Sequence, residues 1–355
     1  MLALCLCSTD SGAGKTSLAV ALGRRLRRDH LRVEYIQTVS SVEDGSDSSS
    51  SVDFVRRVLG LASAVDVAFP VSIGAALETL EGDVNYAPHL AKIAGTLSAD
   101  CDVLLVETGD TIVDGSLVGL GVADVAVALN APTLIVARFT GESVVDAILA
   151  ARQAMGSRLI GAVVTGIPVS HKEFAQRVLR PALERRGVRV LGTLPVDVLL
   201  SAVTVRELVT RLGGTFLCCE EAGEELVERL MVGAMNAEHA VSYFRRQANK
   251  AVITGGDRPN IQHAALETPT RCLILTGPFP ADPDVLEQAR TLGVPVVTVP
   301  LDTLTAVERS QEVFATSRYR QDKKIARFEE LFNRHFDVAT LYSALALHPG
   351  DRRAT

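Results

Sequence analysis

The sequence predicts an α/β protein, in which a doubly wound parallel sheet is followed by a smaller α/β region that ends in helices. Two observations support this class. Short apolar segments of strand type alternate with segments of helical spacing from residue 2 to residue 299, and such alternation is typical of parallel sheets covered by helices. A glycine-rich stretch at residues 8–17 lies between the first strand and the first helix, which is the setting that a phosphate-binding loop needs.

The elements of residues 1–214 are predicted from runs of apolar residues and from apolar residues at helical spacing. In chain order they are a strand at 2–7, a helix at 18–26, a strand at 32–37, helices at 52–59 and 88–99, a strand at 102–107, a helix at 115–129, a strand at 133–137, a helix at 144–155, a strand at 159–164, a helix at 173–186, a strand at 188–194 and a helix at 205–212. Gly213 and Gly214 then close the predicted first domain, 1–214.

Residues 215–355 form the predicted second domain. Its elements are a helix at 237–246, a strand at 250–254, a helix opened by Pro259, a strand at 271–277, a helix at 284–292 and a strand at 295–299. Phe328, Phe332 and Phe336 recur at helical spacing further on, and this stripe predicts a core face or a dimer contact.

Composition excludes several classes of function. The 355 residues are 47% hydrophobic and 22% charged, which is typical of a globular protein with ample core. The formal net charge of −6 gives no electrostatic case for nucleic acid, and the absence of tryptophan argues against a base-stacking surface. We therefore expect small-molecule and protein partners, and no nucleic acid.

Neither the N-terminus nor the most apolar run predicts a membrane segment. No basic region precedes the first strand, so we do not expect a signal peptide. The run from Val118 to Ala137 is interrupted by Asp124, Asn130 and Pro132, and we interpret it as a buried helix followed by a buried strand. The six cysteines form no C-x-x-C pair, so we expect reduced core thiols in a cytoplasmic protein without a membrane partner.

The glycine-rich stretch is predicted to bind the phosphates of a nucleotide. The nine residues concerned are Thr9, Asp10, Ser11, Gly12, Ala13, Gly14, Lys15, Thr16 and Ser17. Backbone N–H groups of such a loop, together with the first turn of the helix that follows, form an anion site. Lys15 would reach the terminal phosphates, and the Thr16 hydroxyl would ligate Mg²⁺. The alternative is a glycine-rich turn that binds nothing.

The usual phosphate-loop pattern, G-x-x-x-x-G-K-[ST], requires a glycine where this chain has Thr9. The loop is therefore one residue longer and starts at Ser8. A second candidate group follows the strand at 102–107, which ends in Glu107. A carboxylate that emerges at the phosphate end of a parallel sheet commonly holds Mg²⁺ or its water, so Glu107 is a predicted metal residue. The alternative is an acidic residue that has no partner.

Residues 1–214 resemble the dethiobiotin-synthetase-like P-loop domain of phosphotransacetylase-type proteins. The family's loop, G-T-D-T-x-x-G-K-T, is matched by Thr9, Asp10, Gly14, Lys15 and Thr16. The segments at 191–195 (LGTLP) and 204–208 (TVREL) are similar to the C-terminal signature of that domain.

This resemblance implies a P-loop NTPase-type fold that binds ATP, or another nucleoside triphosphate, together with Mg²⁺. It also implies that Thr16, Asp53 and Glu107 hold the metal. Two positions depart from the family: Gln37 replaces a substrate-handling lysine, and Thr165 replaces an asparagine that contacts adenine. Because an amide cannot act as an ammonium toward a carbamate or carboxylate, the acceptor end of the synthetase site is not retained.

The region from about residue 215, which is the predicted second domain 215–355 with its helical C-terminal segment, resembles the DRTGG domain, which lies between the P-loop and catalytic domains of long phosphotransacetylases. The turn of Gly255, Gly256, Asp257 and Arg258, and the segment 264–277, are the similar parts. The turn could bind an anion or a nucleotide, with Arg258 and helix N–H groups as donors. Equally, the glycines could permit positive φ while Asp257 bonds local backbone.

The combined resemblance implies a Mg-nucleotide-binding regulatory or sensor protein, similar to the non-catalytic N-terminal half of phosphotransacetylase and linked to acetyl-phosphate and acyl-CoA metabolism. The alternative is an ATP-dependent ligase or synthetase of the dethiobiotin-synthetase type, with an unknown carboxylate or amine acceptor. A third is a scaffold whose site is vestigial. No residue is assigned a catalytic role, because no G-x-S-x-G elbow is present and a phosphate acetyltransferase catalytic domain is not expected here. We expect at most slow ATP hydrolysis, a second small-molecule effector, a homodimer and a separately encoded acyltransferase partner.

Overall fold

The computed structural model describes residues 1–40, 49–61, 71–72, 74, 85–97, 101–315 and 321–347. The chain divides into two compact units: Met1–Val196 together with Tyr319–Thr355, and Asp197–Arg318. Within the described ranges, no helix is long and apolar enough to cross a membrane.

Strands and helices alternate through the chain, as the sequence predicts. Up to residue 196 they are β1 (Leu2–Ser8), α1 (Lys15–Arg28), β2 (Val33–Gln37), β3 (Val39–Ser40), α2 (Ser49–Leu59), β4 (Val71–Ser72), α3 (Ala87–Leu97), β5 (Val103–Glu107), α4 (Val122–Ala128), β6 (Thr133–Arg138), α5 (Ser143–Met155), β7 (Leu159–Ile167), α6 (Lys172–Phe174, continued by a π-helical segment Ala175–Leu179 and by Arg180–Arg185) and β8 (Val190–Pro195). After it they are β9 (Val203–Thr204), α7 (Val205–Leu212), β10 (Thr215–Cys218), β11 (Leu226–Val227), β12 (Arg229–Val232), α8 (Ala237–Phe244), β13 (Lys250–Gly255), α9 (Pro259–Leu266), β14 (Thr270–Thr276), α10 (Pro283–Leu292), β15 (Val296–Val299), α11 (Thr303–Ala315), α12 (Asp322–His335) and α13 (Val338–Ala344).

The first unit contains a six-stranded parallel sheet with the order β2-β5-β1-β6-β7-β8. Helices α3 to α6 pack on the face that carries Cys5 and Cys7 of β1. Helix α1 covers the opposite face, where Gly23 approaches Leu105 of β5. The predicted doubly wound parallel sheet is therefore confirmed. The strand order changes direction beside β1, and such a reversal opens a crevice at the carboxyl ends of the strands.

One predicted helix of this unit is shorter than expected. The prediction of a helix at 115–129 is wrong for its first turns, since α4 begins only at Val122 and a 3₁₀ turn covers Ser116–Val118. Gly115 and Gly119 both have positive φ, at 87° and 70°, and these conformations cannot belong to a right-handed helix. The glycines therefore end one turn and redirect the chain before α4 can start.

The last two helices return to the first unit. Helix α12 lies against α1, and its Glu329 pairs with Arg24 at 3.0 Å and with Arg28 at 3.1 Å. The Tyr342 hydroxyl of α13 donates to the Asp29 carboxylate at 2.6 Å. The C-terminal helices are thus bonded to α1, the helix that follows the glycine-rich loop, and to Asp29 at its end.

The phenylalanine stripe forms part of this attachment. Phe328, Phe332 and Phe336 are all buried, and the rings of Phe332 and Phe336 stack with centroids 4.5 Å apart. Phe336 also forms a backbone bridge to Gly192 of β8. Of the two interpretations, the structure favours a core face, because these rings are used inside the unit and leave little apolar area for a second copy.

The compact units do not coincide with the limits 1–214 and 215–355, which stay predictions. Helix α7 belongs to the second unit, and Gly213, with φ of 64°, is its left-handed C-cap. The pair Gly213-Gly214 therefore lies inside that unit and not at its border. The helices after Tyr319 belong to the first unit instead, because their apolar faces pack on α1 and β8.

The second unit contains a five-stranded sheet with the order β10-β15-β14-β13-β12, in which β10 alone is antiparallel to its neighbour. Helices α8, α9 and α10 pack on one face, and α7 and α11 pack on the other. The alternation of strand and helix predicted for this region is confirmed. All six cysteines of the chain are free thiols.

Candidate functional site

The glycine-rich loop runs from the end of β1 to the start of α1. Gly12 and Gly14 have φ of 73° and 101°, which side chains rarely tolerate, so glycine is required at both positions. Gly14 is the N-cap of α1 and supplies no capping side chain, and the first turn of α1 contains no acidic residue. The first N–H groups of a 14-residue helix are therefore available to an anion at the sheet crevice.

The loop lysine is buried in this crevice. Lys15 has only 5% of its side chain exposed. Its Nζ donates to Ser8 Oγ at 2.8 Å and lies 3.4 Å from Asp110 Oδ1. The Ser8 hydroxyl in turn donates to the backbone carbonyl of Asp110 at 2.6 Å. A buried ammonium needs such partners, because its desolvation is otherwise costly.

Glu107 lies at the carboxyl end of β5, next to α1. Its Oε1 accepts a hydrogen bond from Thr16 Oγ1 at 2.7 Å, and its Oε2 accepts one from the Tyr35 hydroxyl at 2.9 Å. Burial raises the pKa of the Glu107 carboxyl above its ordinary value, while the nearby Lys15 ammonium acts in the opposite direction. The structure thus brings Lys15, Thr16 and Glu107 together, as the sequence predicts.

The donors at this point fit Mg²⁺. A hydroxyl and a carboxylate are hard oxygen ligands, and magnesium usually takes few protein ligands beside substrate phosphates and water. No group of three or more His, Cys, Asp or Glu side chains that could hold a metal ion is found in the described ranges. Thr16 and Glu107 would hold the ion. Asp53, the third predicted metal residue, is exposed on α2, and we find no hydrogen bond between it and Thr16 or Glu107 in the part of the chain that is described.

The other loop residues have mostly local roles. The Thr9 hydroxyl donates to Asp10 at 2.6 Å, and the Ser11 hydroxyl donates to Asp110 Oδ2 at 3.3 Å. Ala13 and Ser17 are buried, and Ser17 lies in the first turn of α1. At the mouth of the loop, Ser11 is exposed, whereas Lys15 is buried.

Thr165 and Gln37, the two residues that depart from the family's pattern, both donate hydrogen bonds to backbone carbonyls. The Thr165 hydroxyl at the end of β7 donates to the carbonyl of Ala13 at 2.7 Å, so it braces the loop. The Gln37 amide donates to the carbonyl of Val39 at 3.2 Å. Both side chains are thus bonded to the backbone of neighbouring segments.

Three further residues contribute to the site, although the sequence did not identify them as binding residues. They are Ser8, Tyr35 and Asp110. Tyr35 shares a sheet face with Glu107, because β2 and β5 are paired in register and Gln37 lies opposite Glu107. The alternation of side chains between the two faces of β2 is therefore a sequence signal that could have identified Tyr35. No local pattern identifies Asp110, whose distance from Lys15 depends on the loop after β5.

The predicted second site is the turn after β13 in the second unit. Arg258 donates from Nη1 to the carbonyl of Gly233 and from Nη2 to that of Met235, both at 2.8 Å. Its guanidinium therefore braces the loop that follows β12. A ligand crevice is expected where strand order reverses, whereas β12 to β15 follow each other in chain order.

The two glycines of this turn are closely packed. The buried Gln262 amide donates to the carbonyls of Gly255 and Gly256 at 2.9 and 3.2 Å. A Cβ on Gly256 would lie 2.9 Å from the carbonyl oxygen of Phe279, so only glycine fits there. Asp257 is exposed. These contacts favour local turn chemistry, and an effector pocket at this turn stays a prediction.

The fold and the loop together define a P-loop α/β protein. The chain belongs to the AAA domain family, whose model matches residues 3–204, more than half of its length. A second model, the DRTGG domain, matches residues 207–313. The resemblance to a P-loop domain followed by a DRTGG domain is confirmed by these matches.

The chain is similar to two kinds of enzyme, phosphate acetyltransferases and a dethiobiotin synthetase. It is 22% identical over 363 residues to a phosphate acetyltransferase of Synechocystis, with 96% of this chain and 51% of that protein covered. It is 27% identical over 227 residues to an ATP-dependent dethiobiotin synthetase of Mycobacterium avium, with 60% of this chain and all of that protein covered. The chain spans about half the length of the phosphate acetyltransferases it matches.

Among solved structures, a similar one contains the CBS and DRTGG domains of the regulatory region of a Clostridium perfringens pyrophosphatase, complexed with the activator diadenosine tetraphosphate. The identity is 18% and the TM-score 0.28, with 42% of this chain and 73% of that chain covered.

Proposed function

We propose that this chain is a magnesium-nucleotide-binding regulatory protein that links nucleotide concentration to acetyl-phosphate or acyl-coenzyme A metabolism. The observation that carries the proposal is the joint geometry of Lys15, Thr16 and Glu107 around an uncapped helix N-terminus. A buried lysine, a hydroxyl and a carboxylate at one sheet crevice are the groups that Mg-nucleotide binding requires.

Each group has a distinct part in this proposal. The Lys15 ammonium would donate to terminal phosphate oxygens, and the first N–H groups of α1 would bind the same phosphates. The Tyr35 hydroxyl orients the Glu107 carboxylate toward Thr16. Magnesium, when bound, would neutralise phosphate charge and screen it from Glu107.

The acceptor end of the site favours a regulatory role over an ATP-dependent ligation reaction. Gln37 stands where the synthetase has its substrate-handling lysine, and its amide is turned to the carbonyl of Val39. The link to acyl metabolism is supported by similarity to phosphate acetyltransferase along nearly the whole of this chain. The proposal includes an acyl-transferring partner and a second effector at the turn of residues 255–258.

Binding is tested by calorimetry of the full chain with ATP and Mg²⁺. Lys15→Ala removes a charge-assisted contact, and we expect a loss of about 1.5–3 kcal/mol of binding free energy. Lys323→Ala is the matched control, because it removes the same charge from an exposed position on α12. Equal affinities of wild type and Lys15→Ala would contradict the proposed site.

Regulation is tested by activity and by coupling. We expect slow or no ATP turnover and no acetyl transfer from acetyl phosphate to coenzyme A by the chain alone. A thermal-shift screen of nucleotides and acyl metabolites should reveal a second ligand, and the two ligands should alter each other's affinity by the same factor. Stoichiometric ATP-dependent ligation of an acceptor would instead identify a ligase.

A further inference from the structure

Asp110 lies across the mouth of the glycine-rich loop. One carboxylate oxygen is 3.4 Å from Lys15 Nζ, and the other accepts a hydrogen bond from Ser11 Oγ at 3.3 Å. The Asp110 side chain is 38% exposed, whereas that of Lys15 is 5% exposed. A partly exposed anion therefore spans the loop from its buried lysine to its exposed serine.

This position is the one that a phosphate group would need. In phosphate loops the lysine and the donors of the loop surround phosphate oxygens. Lys15 is buried, and Ser8 offers it a neutral hydroxyl, so the negative charge in contact with its Nζ comes from Asp110. A carboxylate that contacts both Lys15 and Ser11 thus occupies donors of the loop.

The geometry also indicates that this contact is exchangeable. At 3.3 and 3.4 Å, the carboxylate's contacts with the loop are long for charge-assisted bonds. Asp114 shows the contrast, since its two oxygens accept from the backbone N–H and the hydroxyl of Thr111 at 2.9 and 2.7 Å and hold a turn. The backbone of Asp110 is held separately by the Ser8 hydroxyl, so displacement of the carboxylate from Lys15 and Ser11 does not require the main chain to move.

We propose that Asp110 sets the affinity of the loop by acting as an internal competitor for polyphosphate. In the ligand-free protein its carboxylate takes the place of a phosphate on Lys15 and Ser11, and an incoming polyphosphate displaces it. The inference rests on the proposed function, because it assumes that phosphate binds this loop. The displaced carboxylate stays close and repels a polyanion, and that repulsion is strongest without a divalent cation.

The test compares Asp110→Asn with wild type in the full chain. The substitution keeps the shape of the side chain and removes its charge. Calorimetry with inorganic tripolyphosphate in metal-free buffer should show a gain in affinity of roughly fivefold or more, the size expected from one unit charge at contact distance in water. Asp146→Asn is the control, because Asp146 is an exposed acidic residue in the first turn of α5. The control should bind tripolyphosphate as wild type does.

Two results would overturn the inference. One is tripolyphosphate affinity in Asp110→Asn no higher than in wild type or in the Asp146→Asn control. The other is an Asp110→Asn protein that loses affinity for ATP with Mg²⁺ and gains none for metal-free tripolyphosphate, which would make Asp110 a metal ligand. Lys15→Ala separates this inference from the proposed function. If that variant loses ATP binding while Asp110→Asn has no effect, the nucleotide site stands and the competitor does not.

Discussion

Lys250 is a buried cation whose replacement should stabilise the second unit at neutral pH. It is fully buried at the start of β13, and its Nζ donates to Thr268 Oγ1 at 2.9 Å and to the Pro269 carbonyl at 3.1 Å. Among the described residues, no carboxylate forms a salt bridge with it. Burial without an opposite charge lowers the pKa of Lys250 from 10.5 to about 8.

The magnitude follows from that shift. Each pKa unit corresponds to about 1.36 kcal/mol, so the charged folded form is disfavoured by about 3 kcal/mol below pH 8. Lys250→Met removes this cost and leaves the Pro269 carbonyl without its donor, which costs about 1–2 kcal/mol. Thr268 keeps its own bond to the carbonyl of Ala265 at 2.7 Å. We therefore expect the variant to be more stable by about 1–2 kcal/mol near pH 7.

The sign of the pH dependence is fixed by the direction of the shift. Between the folded pKa of about 8 and the unfolded value of 10.5, the unfolded chain binds more protons than the folded one. The stability of the wild type therefore rises with pH across this window and falls as pH drops toward 8. Lys250→Met lacks the titrating group, so its advantage should shrink with rising pH and reverse before pH 10.5 is reached.

The measurement is urea unfolding of both proteins between about pH 7 and pH 10.5. Because the chain contains no tryptophan, Tyr243→Trp on α8 can be added to both proteins as a fluorescence probe of the second unit. Other titrating groups affect both proteins alike and cancel in the difference. A difference in unfolding free energy that stays constant across the window would refute the reasoning.

Two further predictions concern the second unit and assembly. Arg258→Lys should destabilise that unit by about 1–3 kcal/mol, because a lysine cannot bridge the carbonyls of Gly233 and Met235 together; urea unfolding with the same tryptophan probe checks it, and unchanged stability with loss of an effector would favour the anion pocket instead. The expected homodimer is tested by light scattering at micromolar concentration, where we expect about twice the monomer's 37.8 kDa and where a mass near 37.8 kDa would contradict the expectation.

The sequence predicted the six strands of the first sheet and β13 to β15 of the second, because buried parallel strands are continuous apolar runs. It did not predict β10 and β12 of the second sheet. The run at 102–107 became β5, Val103–Glu107, with every residue buried. The order of strands in the sheet depends on pairings far apart in the chain, so local patterns did not give it. The packing of the C-terminal helices was not predicted for the same reason. The Phe328 to Phe336 stripe indicated an apolar face, but only the tertiary structure shows that this face packs on α1 and β8.

The residues of the candidate site also fall into two groups, those that a local sequence pattern predicted and those that only the fold brings to the site. Lys15 and Thr16 were predictable because a loop and a helix start lie within one short segment. Tyr35 and Asp110 reach the site from positions far along the chain, 72 residues from Glu107 and 95 from Lys15. Ser8 was identified in the sequence only as a departure from the glycine of the family's loop. Its hydrogen bond from Lys15 depends on how the loop folds, so the sequence alone did not indicate it.

The internal contacts of the glycine-rich loop give a physical reason why this site would suit a sensor. Ser8 and Asp110 contact Lys15, and the Thr165 hydroxyl donates to the Ala13 carbonyl, so the loop is held by internal contacts. A ligand that must displace internal partners binds with an apparent affinity lowered by the cost of that displacement. Occupancy then responds at higher nucleotide concentration, which a sensor of an abundant nucleotide requires. A tight-binding enzyme gains nothing from that cost, so these internal contacts are a physical argument for the regulatory proposal.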